Sequence, residues 1–154
     1  MPTTYLSGQR TPALDRLASH HMNELDSNWV GLIVTPLTKD YLRTETIRNY
    51  PSVGIDNGCF SSAGRARYSW PEYERIIKLA LFQAHDMRGG VLFATARDMP
   101  FNWQETLRLA MPVLPRIRAL GVPAALVLQN GATPDNVPWD QCDVIFLGGG
   151  PLQN

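Results

Sequence analysis

Apolar residues are distributed along this chain in two alternating textures. Short, near-continuous apolar runs occupy Tyr5 to Gly8, Val30 to Thr35, Val53 to Asp56, Gly90 to Thr95, Ala124 to Gln129 and Asp143 to Leu147, each of strand length. Runs without polar alternation belong to strands buried on both faces, the habit of a parallel sheet. Between them the apolar spacing lengthens to three and four. Ser69-Trp70-Pro71-Glu72 has the form of a capping box with proline in the first turn, and Tyr73, Ile76, Ile77, Ala80, Leu81 and Ala84 follow on one helical face. Asn102-Trp103-Gln104-Glu105 repeats the box; Leu107, Ala110, Met111, Leu114 and Ile117 form its stripe, and Gly121 is placed to end it. Pro112 and Pro115 within that stripe predict a kink or a division. A helix opening at Thr11-Pro12 and running through about His20, a weaker one over Thr38 to Arg48, and a short turn from Thr133-Pro134 complete the pattern.

This order predicts an α/β fold, a parallel sheet of about six βα units in a single domain over residues 3–150, with 151–154 as a short tail. No repeat, low-complexity tract or linker divides it. A closed (β/α)₈ barrel takes ~250 residues and a doubly wound sheet ~150, so length favours the open sheet. Two features favour the barrel. The first strand is not followed by G-x-G-x-x-G, and polar residues recur just past one strand end after another, as on a barrel's active face. The expected architecture is therefore TIM-barrel-like and incomplete.

Charge and composition narrow the partners. Lys and Arg number 14 against 14 Asp and Glu, so the broad basic field that grips nucleic acid by counterion release is absent and only a local basic site remains open. Cys59 and Cys142 lie outside any metal-ligand spacing, and His20-His21 has no third ligand nearby, so no metal and no cofactor are expected. The 12 glycines and 12 prolines point to many tight, shaped loops. Met1-Pro2-Thr3-Thr4 lacks a charged n-region before an apolar stretch, and no apolar run is long enough to span a bilayer, so a soluble cytoplasmic protein is expected.

Four successive strands end in polar or glycine signatures: Ile55-Asp56-Asn57-Gly58-Cys59-Phe60, Ala96-Arg97-Asp98-Met99-Pro100, Leu128-Gln129-Asn130-Gly131 and Leu147-Gly148-Gly149-Gly150. In parallel α/β architectures such ends converge on one mouth. Two carboxylates there can divide proton transfer and charge stabilisation, a glutamine can meet a donor and an acceptor of a heterocycle, and glycine amides can approach a ligand closely. Each signature also has a plain reading as turn chemistry, and Asp98 beside Arg97 as a surface ion pair. Arg65 and Arg67, in Gly64-Arg65-Ala66-Arg67, could reach one phosphate backbone if their loop folds over the mouth; a solvated loop is the alternative. Trp29, Trp70, Trp103 and Trp139 stand near element starts as packing anchors, and Cys59 has no local histidine to activate it as a nucleophile.

The ordered series Gly54-Ile55-Asp56-Asn57-Gly58-Cys59-Phe60, Asp98, Val127-Leu128-Gln129-Asn130-Gly131 and Phe146-Leu147-Gly148-Gly149-Gly150 resembles the tRNA-guanine transglycosylases and their phage DNA-modifying relatives, over roughly residues 5 to 150. The resemblance implies a (β/α)₈ barrel that exchanges guanine for a 7-deazaguanine base in DNA or tRNA through a covalent glycosyl-enzyme intermediate. It implies a catalytic, proton-handling or stabilising role for Asp56 and base-edge recognition by Asp98, Gln129, Gly148 and Gly149. Nucleic acid is the implied partner, in the host cytoplasm for a phage-encoded chain. The family's later nucleophilic aspartate and its three-Cys, one-His zinc motif have no counterpart here, Asn57 stands in place of the common Ser, and Cys59 in place of the common Gly. Two expectations follow: one part of a split or truncated enzyme, completed by a second copy or a complementary chain, or an inactive relative that binds a purine base or a partner. An unrelated small-ligand enzyme of barrel or flavodoxin type is the third.

Overall fold

Residues 4–6, 30–43, 50–85 and 90–148 are described in the computed structural model, and every apolar run expected as a strand contributes one. The strands are β1 (Thr4–Leu6), β2 (Val30–Val34), β3 (Ser52–Ile55), β4 (Gly90–Thr95), β5 (Ala124–Leu128) and β6 (Val144–Leu147). They pair in the order of the sequence, each neighbour parallel, with Val34 beside Ile55, Ile55 beside Ala94, Thr95 beside Ala125 and Leu128 beside Leu147. The protein is an α/β fold with an all-parallel sheet and flanking helices.

Four α-helices are described: α1 (Ser62–Arg67), α2 (Trp70–Gln83), α3 (Trp103–Ala110) and α4 (Leu114–Ala119). They occupy the β3–β4 and β4–β5 connections. Elsewhere the described connections hold 3-10 turns at Lys39–Arg43 and Trp139–Gln141. The weak helix over Thr38 to Arg48 is thus a 3-10 turn as far as it is described, and the Thr11 to His20 helix, His21 and Trp29 lie outside the described residues.

Local chemistry accounts for most of these boundaries. The expected division at Pro112 and Pro115 separates α3 from α4, because neither proline can donate to the preceding turn. Asn102 caps α3 by accepting from the Glu105 N–H at 3.0 Å. The capping box expected at Ser69 does not close: Ser69 makes no side-chain cap bond, and Glu72 instead pairs with Lys39 and Arg75. A cation delivered by the turn after β2 outcompetes a neutral backbone amide for that carboxylate. The Gly64-Arg65-Ala66-Arg67 segment is helix α1 rather than loop, since Ser61 accepts from the Gly64 N–H at 3.0 Å and starts it.

The period of two along the strands sorts the sheet into faces. Leu32, Val34, Val53, Ile55, Ala94, Ala124 and Leu126 face the helices and join Tyr73, Ile76, Ile77, Ala80, Leu114 and Ile117 in the hydrophobic core. The intervening residues Ile33, Gly54, Phe93, Val127 and Phe146 take the opposite face. There the Phe93 ring lies across Gly54, where a Cβ would stand 2.6 Å from its Cζ, and meets Phe146 with ring centroids 5.9 Å apart. Among the strands whose burial is described, burial lapses most at β6, where Leu147 is 80% exposed at the end of the strand order.

Tyr73 ties this core to the strand ends. Its buried hydroxyl reaches the carbonyls of Ile55 at 3.2 Å and Thr95 at 2.9 Å, the last residues of β3 and β4. Tyr73→Phe keeps the ring and removes the one hydroxyl proton those two carbonyls share, so stability should fall by about 1 kcal/mol. Urea unfolding should show a lower midpoint with an unchanged slope.

Candidate functional site

The polar ends of β2 to β6 converge as parallel topology requires. Asp56 continues the β3 alternation onto the face away from the helices, which also carries Thr95 from β4 and Gln129 after β5. Asp56 and Gln129, together with Thr35, Asp98, Phe60 and Gly148, line one open cleft of about 440 Å³, floored by apolar side chains of the strands, while Thr95 is buried behind Asp56. The fold therefore brings together Asp56, Asp98, Gln129 and Gly148, which come from four different strand ends.

Asp56 has two engagements. Its Oδ2 accepts from the Gly58 N–H at 3.0 Å, closing the turn expected of Asp-Asn-Gly, with Gly58 at φ 73°. Its Oδ1 meets the Thr95 hydroxyl at 3.2 Å. That hydroxyl already accepts from the Asn57 N–H at 2.8 Å and the Asn57 Nδ2 at 3.0 Å. With both lone pairs occupied, its single proton is left for Asp56. Asn57 is itself buried, donating to the Ala96 carbonyl at 2.7 Å and accepting from the Cys59 N–H at 2.7 Å. At Asp56, turn residue and cleft residue are the same side chain.

Asp98 and Gln129 form the second unit. Both are buried, and Gln129 Nε2 donates to Asp98 Oδ2 at 2.6 Å. The Gln129 Oε1 accepts from the Phe101 N–H at 2.9 Å. Burial pushes both the Asp56 and Asp98 carboxyls above the ordinary carboxylate range, and the nearby Asp56 charge adds to the shift of Asp98. The ion pair of Arg97 with Asp98 does not form among the described contacts: the Arg97 guanidinium stacks on the Tyr68 ring, 5.0 Å from its centroid.

Other expected residues take different places. The Gly148 N–H donates to the Leu128 carbonyl at 2.9 Å, so it extends the sheet ladder instead of presenting an amide to the cleft. Its contribution is space, since a Cβ there would stand 2.7 Å from both Gln129 Nε2 and Val127 Cγ1. Gly149 lies outside the described residues. Arg65 Nη1 donates to the Cys59 and Phe60 carbonyls at 2.9 and 2.7 Å, bracing the loop that brings Phe60 to the cleft. Arg67 is exposed and borders a separate small hollow with Pro36 and Glu72. The Cys59 thiol is fully buried and pushed up to about 12, chiefly by desolvation, which keeps it protonated and unreactive at neutral pH. Trp103 joins the core as an anchor, whereas Trp139 is 56% exposed.

Sequence reasoning missed three participants. Thr95 is the polar end of the apolar run Val91-Leu92-Phe93-Ala94 and shares the parity of Phe93, a signal that was available. Asn57 was visible only as a departure from a family pattern. Phe101 gave no signal, because it contributes through its backbone.

No protein family, curated protein or solved structure matches this chain. Fold and site together define a parallel α/β protein with two carboxylates and a carboxamide in a cleft at the C-terminal ends of its strands. No group of three or more metal-ligating side chains occurs among the described residues, and no described helix is long and apolar enough to cross a membrane.

Proposed function

We propose that this chain is a transglycosylase-like protein whose cleft receives a guanine or 7-deazaguanine base of DNA or tRNA, on a TIM-barrel-like arrangement of about six βα units. The observation that carries the reading is the Asp98–Gln129 pair at the cleft. A carboxylate oxygen beside an amide N–H complements a ring edge with N–H next to C=O, which guanine-type bases have and adenine-type bases lack. The sequential parallel strand order and the aromatic filling of the inner face support the barrel form. Phe60, 69% exposed beside the cleft, offers a ring face to the base, and exposed Arg67 a cation to the backbone.

Asp56 stands next to the pair and holds its proton more tightly than an ordinary carboxylate. It is the group to pass that proton to or from the base as the N-glycosidic bond breaks and reforms. Exchange also needs a carboxylate at the anomeric carbon. Asp98 is engaged with the base edge, and Asp56 cannot relay the proton and attack in one step. The chain alone therefore binds the base, and a complementary chain of different sequence supplies the attacking group.

Titration calorimetry with guanine, 7-deazaguanine and adenine, with incorporation of labelled base into DNA and tRNA, tests this. The two guanine-type bases should bind, adenine should not, and incorporation should be absent. Robust incorporation by the chain alone would overturn the need for a second carboxylate, and absence of guanine binding would overturn the function.

A further inference from the structure

Phe101 is the one non-glycine residue with left-handed backbone among the described residues, at φ 65°. Bulky side chains avoid this region, and when one is held there the surrounding structure must impose it. Burial of the ring does not explain the conformation, since Phe101 is 57% exposed. The local frame does. Met99-Pro100-Phe101-Asn102 closes with the Asn102 N–H donating to the Met99 carbonyl at 3.1 Å, and Thr106 holds Met99 from α3 through both its N–H and its carbonyl, at 3.0 and 3.1 Å. Proline second and a positive φ third is the form of a type II turn, whose third position ordinarily calls for glycine.

The turn presents the Phe101 N–H to Gln129 Oε1 at 2.9 Å. A backbone N–H can be met only by the oxygen of a carboxamide. The nitrogen is thereby turned toward Asp98, 2.6 Å away, with its second proton left for the cleft. The Asp98 carboxylate favours the same orientation from the nitrogen side, and without the Phe101 anchor that bond alone opposes the half-turn that would offer oxygen where the amide now offers N–H.

We propose that Phe101 is a positioning, specificity-determining residue: its left-handed backbone locks the Gln129 carboxamide so that the Asp98–Gln129 pair presents acceptor beside donor and selects an N–H/C=O ring edge. The lock rests on the base-binding reading for its ligand, but its geometry can be tested without one. The Phe101 ring, in edge contact with Phe60 at 6.2 Å between centroids, adds surface beside the cleft and is separable from the lock.

Two variants separate backbone from ring. Phe101→Gly keeps the N–H and tolerates a positive φ; Phe101→Val is β-branched and drives the backbone out of it. Calorimetry should compare guanine with 2,6-diaminopurine, which reverses donor and acceptor on the same edge. The wild-type protein should prefer guanine by about a hundredfold, Phe101→Gly should keep that ratio at reduced affinity, and Phe101→Val should bring it to within about fivefold. Equal loss of the ratio in both variants, or its retention in Phe101→Val, would overturn the proposal. The side-chain amide signals of Gln129 by ¹⁵N NMR supply the ligand-free readout. They should be unchanged in Phe101→Gly and shifted and broadened in Phe101→Val; unchanged signals in Phe101→Val would overturn the lock. If the wild-type protein binds neither base, the proposed function fails while the NMR comparison still decides the positioning role.

Discussion

Asp98→Asn should bind guanine on the order of a hundredfold more weakly than the wild-type protein while unfolding at a higher denaturant concentration near neutral pH. The binding loss follows from replacing an acceptor with a group that can satisfy Gln129 only by turning its oxygen to it, leaving its NH₂ against the donors of the base. The gain in stability follows from linkage. Burial raises the Asp98 carboxyl above its ordinary value, so between those two values the folded chain holds more protons than the unfolded one. Stability then falls as pH rises through that window, and the penalty is complete above the raised value. The substituted carboxamide cannot ionise and escapes it. The stability difference should therefore be present near neutral pH and disappear below the ordinary carboxylate range, where Asp98 is protonated in both states. Urea unfolding across pH, alongside calorimetry with guanine, reads both effects; a less stable variant near neutral pH would show that the carboxylate is a net support of the fold.

Gly64→Ala should destabilise the protein by about 2 kcal/mol, although the substitution lies inside a helix. In an unobstructed helix, alanine would gain about 1 kcal/mol over glycine. Here its Cβ would stand 1.9 Å from the Gly58 carbonyl oxygen, and a backbone oxygen cannot rotate aside. Relieving that overlap costs on the order of 3 kcal/mol, so the clash wins. Gly58 belongs to the turn whose N–H holds Asp56 Oδ2, and displacing either helix α1 or the turn moves the carboxylate. Denaturation and guanine titration should worsen together. A variant as stable as the wild type would show that α1 can shift without cost.

Much of this arrangement was legible along the chain, for a physical reason. Strands and helices are written in periodicity, which depends on residues two to four apart and on whether a face is buried. All six apolar runs became strands, and Pro112 and Pro115 divided a helical stripe as their missing N–H groups demand. Asp56, Asp98 and Gln129 stood out because each polar residue follows an apolar strand, and parallel topology gathers such ends. Partners drawn from distant segments were not legible. Thr95 points its proton at Asp56 from 39 positions away, and the Phe101 N–H orients a side chain 28 positions on. Glu72 abandons a local capping box for Lys39, 33 positions back, and Gly148 gives its N–H to the ladder. The sequence alone determined which polar residues close the strands at the mouth, Asp56, Asp98 and Gln129, because periodicity and strand order are local properties. Only the tertiary structure decided which atom each residue presents there, because a hydrogen bond is settled by whichever donor or acceptor the fold brings within about 3 Å.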